Sequence, residues 1–200
     1  MKTLIFFLRH AVTDSNKLGV WQCSIDEDLS EEGIQQVSAV VPIIASLSPD
    51  VIISSPMKRT VQTARIIMEK VHPMDFRTCD GLRERTGGII EGLTSQEIKK
   101  RFNIEMTTIL SDSIDGLPGV ESLPAFMERI NRTVDSIYRK YEGKRILVVT
   151  HGGFMRGFYQ SNIGAADGVV RFRNCSTLGV TRENGRWSVF YSMGTDGSAT

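Results

Sequence analysis

The sequence predicts a three-layer α/β/α fold around a mostly parallel sheet. Three observations carry that expectation. Short apolar runs at residues 4–8, 51–53 and 146–149 each stop at a polar or charged residue, as strands buried on both faces do. Segments with apolar residues at helical spacing separate these runs, which implies parallel strands joined by right-handed crossovers. The 200 residues, 40% of them hydrophobic, are enough for one sizeable core, and a chain of this length buries roughly 70% of its unfolded surface. The expectation is one domain over residues 1–200, with a small lid within 86–120.

Taken in order, residues 4–8 form the first strand, which leads into Arg9 and His10. A buried strand ending this way delivers both side chains to the carboxyl edge of the sheet, where open α/β sheets bind ligands. By itself the pair fits a plain polar turn equally well. A polar loop follows over 13–28. Ser30 caps a helix whose first turn holds Glu31 and Glu32. Ile34, Val37, Val41, Ile44 and Leu47 give it one apolar face, and Pro42 is expected to interrupt it.

Residues 51–53 are a second strand. Ser55 as cap and Pro56 as first helical residue then open a helix to about 71, with Arg59 in its first turn. His72-Pro73 ends it. Residues 74–79 read as an edge strand and 81–88 as a charged loop. Thr94 or Ser95 caps a helix to Phe102. Residues 103–120, with Asp112, Asp115, Gly116, Pro118 and Gly119, read as loops. From Ser122 a long helix reaches Tyr141 with Phe126, Ile130, Val134 and Ile137 on one face, and Gly143 closes it. The third strand, at 145–150, ends in His151-Gly152-Gly153, and another helix starts at 154. Asn184-Gly185 between two apolar runs signals a hairpin. The tail, 194–200, is expected to fray.

Composition excludes several classes. The net charge is +1 with no basic run, so nucleic-acid binding has no electrostatic support. No stretch approaches the ~20 apolar residues of a membrane span, and the apolar run at 4–8 is shorter than a signal-peptide core of ~7–15. Cys23, Cys79 and Cys175 are odd in number and scattered, which fits a reducing cytoplasm better than a disulfide framework. The three histidines show no metal-ligand spacing, so neither a metal nor a cofactor is expected.

Three strands therefore end at Arg9-His10, at the turn leading to Arg59, and at His151. Parallel strands share one carboxyl edge, so two histidines and two arginines should converge. Guanidinium forks match the oxygens of a phosphoryl group. A neutral imidazole can attack phosphorus, and a second, if protonated, can add charge at the equatorial oxygens. Gly152-Gly153 at a helix start offers N–H groups to an anion.

These residues carry a resemblance. Leu8-Arg9-His10-Ala11-Val12-Thr13 with Asn16 resembles the signature of the histidine phosphatase superfamily, the phosphoglycerate mutase-like proteins. The stretch from Ser54-Ser55-Pro56 through Arg59 to Ala64 is similar to the second motif of that family. Leu82-Arg83-Glu84-Arg85 with Glu91-Gly92, Pro118-Gly119-Val120-Glu121-Ser122 and Val149-Thr150-His151-Gly152-Gly153 follow in family order. The resemblance implies a phosphoglycerate mutase-like fold with His10 as nucleophile. Arg9, Arg59, His151 and Gly152 bind the phosphoryl group, with Asn16 and Thr13 assisting. Glu84 is the acid and then the base, and Gln22-Cys23 line the substrate mouth.

Three positions depart from the family pattern. Ala11 stands where Gly is usual, so an ordinary backbone is expected there. Val12 replaces a polar residue and Ile90 a Trp, and both are expected to alter the substrate mouth. The first reading is a metal-independent phosphatase of a small phosphorylated metabolite acting through phosphohistidine. The alternatives are a cofactor-dependent phosphoglycerate mutase and a catalytically silent binder of phosphorylated ligands.

Overall fold

A computed structural model describes residues 1–164 and 170–196. Its strands are β1 Leu4–Arg9, β2 Val51–Ser54, β3 Asp75–Thr78, β4 Arg145–Thr150, β5 Arg171–Glu183 and β6 Arg186–Asp196. Its helices are α1 Asp14–Lys17, α2 Glu31–Ser46, α3 Lys58–Met68, α4 Ser95–Phe102, α5 Leu123–Lys140 and α6 Gly152–Asn162. The sheet order is β3-β2-β4-β1-β5-β6. The first four strands in that order are mutually parallel, while β5 runs antiparallel to β1 and β6, at the edge, runs antiparallel to β5.

The apolar runs explain the layering. Successive side chains of a strand point to opposite faces. Ile5 and Phe7 of β1 join Phe126 and Ile130 of α5 and Phe154 and Phe158 of α6 in one core. Phe6 and Leu8 join Val37, Val41 and Ile44 of α2 and Ala64 and Ile67 of α3 in another. The central strands β1, β2 and β4 are therefore buried on both faces, which is why they read as continuous apolar runs. Among the described residues no helix is long and apolar enough to cross a membrane.

Several expectations need correction. The loop after His10 contains α1, with Thr13 as its N-cap in a reciprocal capping box with Asn16. Pro42 does not end α2; it is solvent-exposed, so the carbonyl that loses its N–H partner can be met by water. Ile34 is exposed rather than in the apolar face. Helix α3 begins at Lys58, with Met57 at the cap position and no side-chain cap. The hairpin strands are longer than the apolar runs that announced them, and the turn uses positive φ at Asn184 and Gly185, the two-residue form that suits strand twist. Residues 194–196 of the expected frayed tail belong to β6, and 197–200 lie outside the described residues. Ala11 has the ordinary backbone expected of it.

The start of α2 is fastened to the loop that leaves β1. The Ser30 hydroxyl accepts from the Gly33 N–H at 3.1 Å and donates to the Val12 carbonyl, also at 3.1 Å. The Ser30 N–H donates to the same carbonyl at 3.1 Å. A Cβ on Gly33 would lie 2.1 Å from that oxygen. Gly33→Ala should therefore push the Val12 carbonyl off Ser30 and cost about 1–3 kcal/mol, as overpacking does. Urea unfolding should show a lower midpoint with an unchanged slope.

Candidate functional site

The register of β1 against β4 builds the centre of the site. Arg9 lies opposite Thr150, and the His10 N–H donates to the Thr150 carbonyl at 3.0 Å. The next residue on each strand is a histidine. The His10 and His151 rings are 5.3 Å apart between centroids and inclined by 63°. Both are buried, at 3% and 1% exposure.

The His10 Nδ1 lies 2.7 Å from the Ala11 carbonyl. A carbonyl can only accept, so Nδ1 carries the proton and Nε2 keeps its lone pair. Burial, then the charges of Arg59 and Arg9, hold the His10 imidazole well below its ordinary value. His151 is held down in the same way, by burial and then by Arg59, His10 and Arg9. Its Nε2 meets the Ser55 hydroxyl at 2.8 Å. The serine expected to cap a helix instead orients this ring. His151 thus stays neutral in the free protein, and its charge must come with an anion that reverses the local balance.

Arg9 donates from Nη1 to the Phe172 carbonyl at 2.7 Å. Arg59, 1% exposed, donates to the Ile25 carbonyl at 2.8 Å and the Cys23 carbonyl at 2.9 Å. Burial lowers both guanidinium groups, Arg9 to about 10, against the opposing pull of Glu84, so both stay charged at neutral pH. The Nε atoms of Arg9 and Arg59 and Nδ1 of His151 are buried without a hydrogen-bond partner. Such groups are rare in native interiors, and these three belong to residues around one cavity.

Glu84 enters from the 81–88 loop. Its Oε2 accepts from the Gly153 N–H at 2.8 Å and its Oε1 from the Arg85 N–H at 3.1 Å. A Cβ on Gly153 would lie 2.4 Å from the Glu84 carboxylate, so only glycine allows this approach. Arg129 of α5 donates to the carbonyls of Gly81, Arg83 and Glu84 at 2.9, 2.8 and 3.2 Å and pairs with Glu121 at 2.6 Å. Arg85, fully buried, donates to the Glu121, Ile109 and Ser111 carbonyls and pairs with Asp115.

The cavity holds about 430 Å³, within the usual range for small-molecule sites. Arg9, His10, Asn16, Gln22, Cys23, Arg59, Glu84, His151 and Gly152 all line it. Thr13 does not; its hydroxyl accepts from the Asn16 N–H as the α1 cap. Asn16 bridges the wall, donating to Gln22 at 3.2 Å and accepting from Asn174 at 3.1 Å. Burial, then the Glu84 charge, pushes the Cys23 thiol up, so it is no thiolate at neutral pH.

Val12 and Ile90 are buried in the protein and absent from the wall, which corrects the expectation that they shape the mouth. Sequence reasoning missed Arg156, Asn174 and Phe172. Arg156 follows Gly152 by four residues, the spacing of one helix face, so helical periodicity was a usable signal. Asn174 and Phe172 arrive through the antiparallel register of β5, which no motif announces. Among the described residues, no group of three or more His, Cys, Asp and Glu could hold a metal ion.

Fold and site together define an α/β protein with a cationic cavity at the carboxyl edge of its sheet. The family profile of the histidine phosphatase superfamily (branch 1) matches residues 5–192, and the chain belongs to that family. It is 33% identical over 175 residues to phosphoglycerate mutase-like protein 4 of Arabidopsis thaliana, covering 86% of this chain and 76% of that protein. It is 29% identical over 190 residues to the metal-independent phosphoserine phosphatase of Arabidopsis thaliana, covering 94% and 79%. The solved structure of Bacillus stearothermophilus YhfR shares the fold, with a TM-score of 0.82 at 21% identity over 94% of this chain and 95% of that one.

The buried neutral histidines make stability depend on pH. Each binds its proton at lower pH in the folded protein than in the unfolded chain, whose value is near 6.5. Between those two values the unfolded chain binds more protons, so stability is fully present above about 6.5 and falls as pH drops below it. The slope should reach about 1.4 kcal/mol per pH unit for each histidine. Urea midpoints measured from pH 7 to 5 should fall, and His10→Gln or His151→Gln should each flatten the decline.

Proposed function

We propose that the protein is a phosphatase of small phosphorylated metabolites that acts through a phosphohistidine at His10 and needs no metal. The observation that carries this is the pair of buried guanidinium donors without partners, on Arg9 and Arg59, beside an imidazole whose Nε2 lone pair is kept available. A phosphoryl group supplies the oxygens those donors lack. Arg9, Arg59 and Arg156 face the cavity against one carboxylate, Glu84. That balance favours a phosphate dianion and repels a divalent cation. The relative named as a metal-independent phosphoserine phosphatase supports the same reading.

In the first step His10 Nε2 bonds to phosphorus as the ester P–O bond breaks, and Glu84 passes to the departing alcohol oxygen a proton that it takes from the phosphate monoanion as the ester binds. In the second, water attacks phosphorus, Glu84 takes its proton, and the P–N bond breaks to release phosphate. The Arg9 and Arg59 guanidinium groups hold the equatorial oxygens through both steps.

An aryl phosphate should be hydrolysed in excess EDTA and protected by vanadate, and acid-quenched protein should carry phosphate on His10. His10→Ala should lose the label and nearly all turnover. Glu84→Gln should lose ~10²–10⁴-fold, and more on an alkyl ester than on an aryl ester, whose phenolate needs less protonation. Activity that requires Mg²⁺, or a label on serine or aspartate, would overturn the mechanism.

The relative named as phosphoglycerate mutase-like favours a second reading, a mutase. A mutase must hold a doubly anionic intermediate away from water. The one cationic cluster between Glu84 and Pro118-Gly119, at Lys99, Lys100 and Arg101, is exposed and lies outside the cavity wall, and Lys99 pairs with Glu105. Water should therefore win. In a coupled assay with 2,3-bisphosphoglycerate, 3-phosphoglycerate isomerisation should stay slower than phosphate release; isomerisation well ahead of hydrolysis would replace the phosphatase reading.

A further inference from the structure

The Ala11 carbonyl that accepts from His10 Nδ1 lies beyond both ladders that hold β1. The last β1–β4 pair is Arg9 with Thr150, and the last β1–β5 pair is Leu8 with Thr177. The peptide between His10 and Ala11 is therefore held by other means. Its N–H, that of Ala11, donates to the Thr63 hydroxyl at 3.2 Å. Its carbonyl, that of His10, accepts from Asn174 Nδ2 at 3.0 Å and from the Cys175 N–H at 3.4 Å.

The longer of those two bonds is a stretched remnant of an antiparallel ladder, and the Asn174 side chain takes its place. The cause is an irregularity in β5. Phe172 pairs with Thr195 and Thr177 with Met193, so four residues of β5 stand opposite one of β6. Within that bulge Cys175 has a φ of 60°, a conformation that residues with a side chain rarely adopt. Bulges beside active sites re-aim side chains. This one brings Asn174 to the cavity wall.

The bond directions around Asn174 are settled by groups that act in one sense only. A backbone carbonyl accepts, so the atom facing His10 is the amide nitrogen. The same nitrogen donates to Asn16 Oδ1 at 3.1 Å, and that oxygen also accepts from the Thr13 N–H at 3.4 Å. Asn16 Nδ2 donates to Gln22 Oε1 at 3.2 Å, and Gln22 Nε2 donates to the Glu27 carboxylate. One chain of bonds thus ties the His10 carbonyl to the wall that Asn16 and Gln22 form.

We propose that Asn174 is a positioning residue for His10: by fixing the His10–Ala11 peptide it keeps the Ala11 carbonyl on Nδ1, and so keeps Nε2 bare for attack. The inference rests on reading His10 as the nucleophile. Without the Asn174 donor, Thr63 holds one side of that peptide and the long Cys175 contact alone holds the other. A planar peptide turns as a unit about the bonds that flank it, so the Ala11 carbonyl moves relative to the ring. The proton is then no longer confined to Nδ1, because a neutral imidazole takes the tautomer that its partners select.

The test uses Asn174→Asp, which keeps the shape but replaces the donor with an acceptor, and Asn174→Ala, which removes it. NMR of the imidazole nitrogens in isotope-labelled protein reads the tautomer, with the His10 signals identified by their loss in His10→Gln. The unaltered protein should carry the His10 proton on Nδ1, and both variants should show a mixture of the two tautomers. In single turnovers of an aryl phosphate, phosphorylation of His10 should slow roughly 10- to 100-fold in the variants. Hydrolysis of the phosphohistidine should stay close to its unaltered rate, because Nε2 is by then bonded to phosphorus. Calorimetric affinity for inorganic phosphate should also stay close to that of the unaltered protein. The tautomer and the ratio of the two rates are read on folded molecules, so a loss of folded protein does not imitate the effect. An unaltered tautomer in both variants, or equal slowing of the two steps, would overturn the proposal. A loss of phosphate affinity that matches the loss of rate would make Asn174 a ligand contact and would overturn it too. If the unaltered protein turns over no ester, the phosphatase reading fails, and the tautomer measurement still decides the role of Asn174.

Discussion

The structure depends on one register, that of β1 against β4. Two parallel strands, each buried on both faces, are aligned so that Arg9 lies opposite Thr150. The first residue past the pairing on each strand is a histidine, and the rings stand 5.3 Å apart. Side chains alternate along a strand, so a slip of one residue would turn Ile5 and Phe7 out of one core and Phe6 and Leu8 out of the other. The apolar residues that fix the fold therefore also fix the two imidazoles. No separate device is needed to bring together residues that are 141 positions apart in the chain.

That placement has a stability cost which the surrounding structure absorbs. Two imidazoles and two guanidinium groups sit in the interior, and three of their polar atoms have no partner. Unpartnered buried donors are destabilising. The remaining donors are spent on carbonyls that hold the walls: Arg59 ties down the Cys23–Ile25 loop, and Arg9 secures Phe172 of β5. Each cation thus has a structural end and an open end. Under the proposed phosphatase reading, an anion between the open ends would satisfy them without moving the structural ones, which is the meaning of preorganisation here.

Much of this was legible in the sequence, for identifiable reasons. Buried parallel strands announce themselves by unbroken apolar runs, so β1, β2, β4 and the residues at their ends could be read directly. Ser30 and Thr94 were readable as caps because capping chemistry is local. Where competing partners decide, sequence reasoning failed. Ser55 and Pro56 look like a helix start, but the serine hydroxyl goes to His151 and α3 begins at Lys58. Thr13 looked like a ligand contact and is instead the cap of a helix too short to show periodicity. Val12 and Ile90 sit next to motif residues, yet neighbours in sequence on a turn face different ways, and both point into the protein. The walls from β5 could not be read, because an antiparallel register carries no motif.

The charged stretch around Glu84 shows how a loop can hold a carboxylate as firmly as a strand does. Residues 81–88 have no strand or α-helix to fix them, and their charges suggest a solvated turn. Two arginines change that. Arg129, from α5, binds three successive parts of the loop through carbonyls, with Glu121 neutralising it. Arg85, inside, binds the Glu121, Ile109 and Ser111 carbonyls and pairs with Asp115. Glu121 is common to both, through its side chain in one case and its carbonyl in the other. The loop bearing the carboxylate and the 103–120 segment bearing Thr108 are therefore parts of one hydrogen-bonded unit anchored to the start of α5. The carboxylate that lines the cavity and the threonine that bonds Arg156 thus share one set of anchors. That side of the cavity wall is therefore built from guanidinium–carbonyl contacts rather than from secondary structure.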